Sequence, residues 1–264
     1  MTSGADLDAR AALPERSGAG LATYAVLVVI TAAAWAHVVW TAWTDDMAGM
    51  DMVLPLGLSD AMGYVAGWGI MMTAMMLPSA LPMIALYAAT QRGRTPAPGL
   101  SVVLFTLVYL GVWAASGVPI YLANVAWSHL SIGPRAAALA VVLVAAGLFQ
   151  VTPLKRACLR HCRSPIGFLL GHWRAGWRGG LVLGWTHAAY CLGCCWALMV
   201  VLVAAGSMGL AWVLLVAVVV AAEKILPRGE WIARAAGIAL VLLGVAVALR
   251  PGLALILRGV NATM

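Results

Sequence analysis

The sequence predicts an all-α fold: a polytopic bundle of about seven transmembrane helices, with the N-terminus inside and the C-terminus outside. Three observations predict it. Hydrophobic residues fill 64% of the 264 positions and charged residues only 9%, a balance too apolar for a water-exposed domain of this length. The apolar stretches run to roughly 20 residues, enough for a helix to cross a hydrocarbon core of about 30 Å. The basic residues, finally, fall on one side of the membrane that these stretches define.

The seven stretches are Leu21–Trp43, Gly63–Ala89, Leu100–Ala123, Ala136–Val151, Gly180–Ala204, Leu210–Leu226 and Trp231–Leu249. The fourth is the shortest at about 16 residues, a length that also suits a re-entrant segment, so the count is six to seven. With the N-terminus inside, only Arg135, Arg250 and Arg258 of the 16 Lys and Arg residues lie outside. Positive charge retained on the inner face sets that orientation. Removing the fourth span would move Lys155–Arg178 outside, so the same bias supports it.

Residues 1–20 are small and polar and read as a disordered cytoplasmic tail. No cleavage signature precedes Leu21, which makes the first span a retained anchor. Residues 21–264 form one transmembrane domain. Within it, residues 44–61 make an acidic, methionine-rich outer loop with the core "DDMAGMDM". Residues 152–179 make a basic inner segment, with Trp173 and Trp177 expected at headgroup level. The net charge of +7 reports topology and contact with the inner leaflet rather than nucleic acid. No nucleotide-binding or flavin signature is visible.

Candidate chemistry concentrates in the fifth span. His187, Cys191, Cys195 and Met199 recur every fourth residue and so share one helix face, with Cys194 beside them. Free cysteine is often just a small buried apolar residue. Three in five positions, flanked by His and Met, point instead to soft-metal or thiol chemistry, because thiolates and thioethers select Cu(I). In the second span Met71 pairs with Met75 and Met72 with Met76, ahead of Pro78 and Pro82, which interrupt the backbone ladder. Antiparallel crossing brings Met72 and Met76 to the depth of Cys195 and Met199.

Two further groups flank this centre. Met47, Met50 and Met52 sit beside carboxylates in the outer loop, where exposed methionine has little packing purpose. That loop resembles the extracellular segments of Ctr-type copper importers and of periplasmic copper-resistance proteins. On the inner side Cys158, His161 and Cys162 form C-x-x-H-C, a second site or exit station if helical, and otherwise ordinary reduced thiols. Glu223 reads as an interfacial ion pair with Lys224 or Arg228.

Three motifs together, "GWGIMMTAMMLPSALPMI", "FQVTPLKRACLRHCRSP" and "HAAYCLGCCWALMVVLVAAGSMGLAWV" followed by "EK", resemble a bacterial family described as predicted metal-binding integral membrane proteins. The resemblance runs from about Gly63 to Lys224. It implies a multi-pass protein of the bacterial inner membrane with a metal site. The expected cargo is copper, as Cu(I), moved across the bilayer or delivered to a membrane cuproprotein or other subunits. Two alternatives stay open: a membrane thiol–disulfide oxidoreductase using Cys191 and Cys194 with Cys195 or with Cys158 and Cys162, and an accessory subunit of a larger complex. Adjacent intramembrane cysteines also resemble those of mercuric transport proteins, although the methionine-rich loop favours copper.

Overall fold

The computed structural model describes residues 18–44, 57–91, 97–128, 132–204 and 209–257. Among these residues every regular element is a helix and none is a strand. The chain order is α1 (Gly18–Thr44), α2 (Leu58–Gln91), α3 (Pro98–Ala115), α4 (Gly117–Ser128), α5 (Ile132–Phe149), α6 (Pro153–Arg163), α7 (Pro165–His172), α8 (Gly176–Ala204), α9 (Leu210–Ile225), α10 (Gly229–Leu249) and α11 (Leu253–Leu257). The methionines of the predicted outer loop, Met47, Met50 and Met52, and most of the predicted tail lie outside the described residues.

Among the described residues, five segments are long and apolar enough to cross a membrane: Leu21–Thr44, Leu58–Gln91, Pro98–Ala126, Gly176–Ala204 and Gly229–Leu249. They contain five of the seven predicted stretches. The predicted fourth span reaches that length only when Pro134–Phe149 is joined to Pro153–Arg163 across a 63° bend, which brings the count to six. The predicted sixth corresponds to α9, a helix of 16 residues. At 1.5 Å per residue it is about 24 Å long, short of a full hydrocarbon core.

The third segment is broken between α3 and α4, and a tryptophan of α2 occupies the break. Trp68 Nε1 donates to Ser116 Oγ at 3.0 Å, and Ser116 Oγ donates in turn to Trp113 O at 2.6 Å. A Cβ at Gly117 would stand 2.8 Å from Trp68 Cδ1, so the glycine lets the indole enter.

Helix α8 lies at the centre, in contact with α3, α5, α6 and α9. Two sequence features set that packing. Along α3, Ser101, Phe105, Tyr109 and Trp113 recur every fourth residue and form its buried face. Opposite them, Gly180 and Gly184 in the small-residue row of α8 let the backbones meet, as small residues do between helices in lipid. A Cβ at Gly184 would lie 2.6 Å from Phe105 O, and one at Gly180 would collide with Ser101 O. Gly184→Ala is therefore expected to lower stability by about 1–3 kcal/mol through overpacking, while Gly111→Ala, where nothing lies within 4 Å, leaves it unchanged. Thermal unfolding of the two variants in detergent checks the contrast.

Candidate metal centre

Helix α8 is apolar enough to hold its cysteines away from water, and Cys191, Cys194 and Cys195 are all buried within the largest core cluster. Their backbone neighbours satisfy them locally. Cys194 Sγ lies 3.1 Å and Cys195 Sγ 2.7 Å from the carbonyl of Cys191. The functional question is which other helices reach them.

Helix α2 reaches them with Met76. Its sulfur lies 3.8 Å from Cys195 Sγ, so the predicted common depth of these two residues corresponds to a direct contact. The Met76 carbonyl accepts from Ser79 Oγ at 2.8 Å and from Tyr109 Oη at 3.3 Å, which fixes this part of α2 just before Pro78. Met71, Met72 and Met75 are buried in the core around it. Met199, one turn beyond Cys195, is buried and lines a largely apolar cavity of about 430 Å³ with Trp68, Trp113 and Trp196.

Helix α6 reaches them with Cys162. Thr152 caps its start, accepting from Lys155 N at 3.2 Å, and Pro153 occupies the first turn, where its missing N–H is not needed. On this helix Lys155, Leu159 and Cys162 follow at spacings of four and three and face the bundle, while Arg160 is exposed and Arg163 reaches the carbonyls of Leu226 and Pro227. Cys162 Sγ stands 3.9 Å from Cys194 Sγ and also neighbours the thiol of Cys191. Cys158 comes close as well, since a Cβ at Gly193 would lie 2.9 Å from its sulfur. The two cysteines of the C-x-x-H-C segment thus stand against α8. All five cysteines are free thiols.

The histidines stand apart. His161 turns its Nδ1 to Ala157 O at 2.9 Å and stacks on Tyr190, with ring centroids 4.1 Å apart. His187 is buried among Phe105, Tyr109 and Phe168, and its Nδ1 has no hydrogen-bond partner. Among the described residues, no three His, Cys, Asp or Glu side chains stand in a ready metal-holding arrangement. What converges is a sulfur set of thiols with one thioether. Donors of this softness fit a thiophilic ion such as Cu(I) better than a hard cation, and the thioether suits Cu(I) in particular. Each of the two sulfur–sulfur spacings, Met76–Cys195 and Cys162–Cys194, also suits a pair on one ion, because sulfurs each about 2.3 Å from one metal in a trigonal shell lie about 4 Å apart.

Sequence reasoning missed two residues at this centre. Tyr109 Oη lies 3.2 Å from Cys191 Sγ, and Lys224 Nζ lies 3.0 Å from the same sulfur and 3.7 Å from Met76 Sδ. Both were legible as face members. Tyr109 belongs to the every-fourth row of α3, and Lys224 shares the buried face of α9 with Val213, Ala217 and Val220. The expected pairing of Glu223 with Lys224 or Arg228 is corrected. Glu223 is buried, binds Lys155 at 2.6 Å and accepts from Gln150 Nε2 at 3.1 Å, and Gln150 Oε1 accepts from Lys155 as well. Successive helix residues point about 100° apart, so Glu223 and Lys224 serve different neighbours.

The family model described as "PpoB2: Copper chaperone" matches residues 65–247. The chain belongs to the PpoB2 copper chaperone family. That membership associates it with copper at a coarse level, and the matched range takes in Met76, Tyr109, all five cysteines, Lys155, Glu223 and Lys224. The methionine-rich segment 44–61 precedes the part that matches PpoB2. No curated protein and no solved structure matches the chain.

Removing one partner of a buried ion pair strands a charge at a cost of about 3–5 kcal/mol. Lys155→Met and Glu223→Leu are each expected to destabilise the protein by that order. The double variant should lose clearly less than the sum. A double-mutant cycle on denaturant unfolding in detergent measures the coupling.

Proposed function

We propose that the chain is an integral membrane copper carrier that holds Cu(I) on the buried sulfur cluster and passes it to a membrane cuproprotein. The observation that carries this is the convergence of sulfurs from three helices, Met76 of α2, Cys162 of α6 and Cys191, Cys194 and Cys195 of α8, inside an apolar core. One buried cysteine has a packing explanation. A contiguous group drawn from separate elements has a common purpose. Copper-family membership is consistent with it.

In the arrangement proposed here, residues 21–264 form a single domain of seven crossings in the bacterial inner membrane, N-terminus inside, with α9 as the short span and α5 continued by α6. Met47, Met50 and Met52, beside their carboxylates, collect the ion on the outer side. Met76 and Cys195 receive it in the membrane, and Cys191, Cys194, Cys162 and Cys158 lead toward the inner face. An unligated cation in a low-dielectric interior is costly by tens of kcal/mol, so transfer proceeds by exchanging one sulfur at a time. His187 and Met199, next along the α8 row, and Met71, Met72 and Met75 shape the surroundings. His161 serves packing.

The separation of 3.9 Å between the Cys162 and Cys194 sulfurs favours one alternative, a thiol–disulfide relay between α6 and α8. Such a relay has no use for a thioether. Purified protein, kept reduced and loaded with Cu(I), should retain copper, and a Cys191/Cys194/Cys195→Ser variant should lose it. Met76→Leu should weaken retention by roughly tenfold, about 1.4 kcal/mol. Copper measured by mass spectrometry after competition with a Cu(I) chelator decides. Equal, negligible copper in native and triple-serine protein rejects the carrier, and indifference to Met76→Leu moves the choice to the relay.

A further inference from the structure

Lys224 is buried, yet no carboxylate pairs with it among the described residues. Its Nζ donates to Cys191 Sγ at 3.0 Å and Ser79 Oγ at 3.3 Å and approaches Met76 Sδ at 3.7 Å. The adjacent carboxylate, Glu223, points about 100° further round α9 and is hydrogen-bonded to Lys155 and Gln150, so it reaches Lys224 only by longer-range attraction. Tyr109 supplies a hydroxyl and no charge, and His187, the other titratable side chain near Lys224 and Cys191, is an imidazole that cannot serve Lys224 as an anion. An ammonium ion so placed is expensive unless an anion stands beside it.

The cargo itself can be that anion. A Cu(I) ion replacing the protons of Cys191 and Cys195 gives a dithiolate complex, Cu⁺ + 2 RSH → [Cu(SR)₂]⁻ + 2 H⁺, with Met76 available as a neutral third donor. Its single negative charge and the positive charge of Lys224 cancel, so the loaded centre is neutral in the low-dielectric core. A divalent thiophilic ion on the same two thiols gives a neutral complex and leaves Lys224 uncompensated. It reaches neutrality only by drawing a third thiolate into its shell.

We propose that Lys224 is the fixed counter-ion of the sulfur centre, making it select monovalent soft cations held as dithiolates over divalent thiophilic ones. The inference rests on the copper carrier proposed above and assigns that site its charge selectivity. Lys224 is a positioning and selectivity residue and not a ligand.

The test uses the full-length protein in detergent under reducing conditions, with Ag(I) as a redox-inert monovalent probe and Cd(II) as the divalent one, each titrated in competition with a chelator. Lys224→Met, which keeps the length and removes the charge, should weaken Ag(I) binding by about 100-fold, the scale of a lost buried partner. Cd(II) binding should hold or rise. Lys224→Arg should keep the native Ag(I)/Cd(II) affinity ratio within tenfold. A ratio in Lys224→Met that also stays within tenfold of native overturns the counter-ion role. X-ray absorption of the Cu(I)-loaded native protein gives a reading that needs no variant of Lys224. An all-sulfur shell is expected, and a nitrogen ligand that persists in His187→Phe would mean that Lys224 binds the metal itself, which also overturns it. Failure of native protein to take up either Cu(I) or Ag(I) rejects the carrier and the inference together, whereas uptake with an unchanged ratio rejects the inference alone.

Discussion

The ion pair between Lys155 and Glu223 decides two things on which the sulfur centre depends. Both charges are buried, and Gln150 completes their hydrogen bonding. Pairing of this kind is what lets charges stay inside a protein. On α6, anchoring Lys155 fixes the helix rotation, so Cys158 and Cys162, at spacings of three and seven, are turned toward α8. On α9, committing Glu223 to Lys155 leaves the neighbouring Lys224 without a carboxylate and facing Cys191. One interaction therefore sets both which thiols join the cluster and what charge the cluster meets.

The same anchor explains why His161 is absent. In C-x-x-H-C the two cysteines and the histidine appear equivalent by spacing, and a helix could present all three. Counted from Lys155, however, Cys162 falls within about 20° of the buried direction and His161 about 100° further round, at 100° per residue. The imidazole therefore leaves the thiols and stacks on Tyr190. Spacing within the motif cannot distinguish these cases; the identity of the buried residue one turn earlier can.

Elsewhere the division between legible and hidden follows the same rule. The α8 cysteine row and the paired methionines of α2 were legible because fixed helical spacing puts them on faces of uninterrupted helices, and the contact between Met76 and Cys195 follows from antiparallel depth. The glycines of α8 meet the Ser101, Phe105, Tyr109 and Trp113 face of α3, a partner that glycine spacing alone does not name. The roles of Tyr109 and Lys224 were hidden because they depend on register between segments over 80 and over 30 residues away from Cys191, which no local pattern encodes. The span count was blurred for a related reason: α9 is short and α5 bends into α6, so hydrophobic length alone does not mark their ends.

For a carrier, the order of donor types matters as much as their number. Met76 offers a neutral thioether that binds Cu(I) without releasing a proton, so it suits a site where an ion arrives. The thiols beyond it bind more strongly because they become anionic. Strength along that series would trap the ion unless something opposed it, and the two ends of the cluster differ in what they offer. Lys224 stands beside Cys191 and Met76, where it would favour the anionic complex proposed above, whereas Cys162 is only half-buried. In the carrier proposed above, an ion near Lys224 would be stabilised by charge, and one on Cys162 would be the more open to an incoming thiolate. Two sulfur pairs, 3.8 Å and 3.9 Å apart and both beside Cys191, suit the stepwise exchange proposed above. A single tighter cage would bind copper better and deliver it worse.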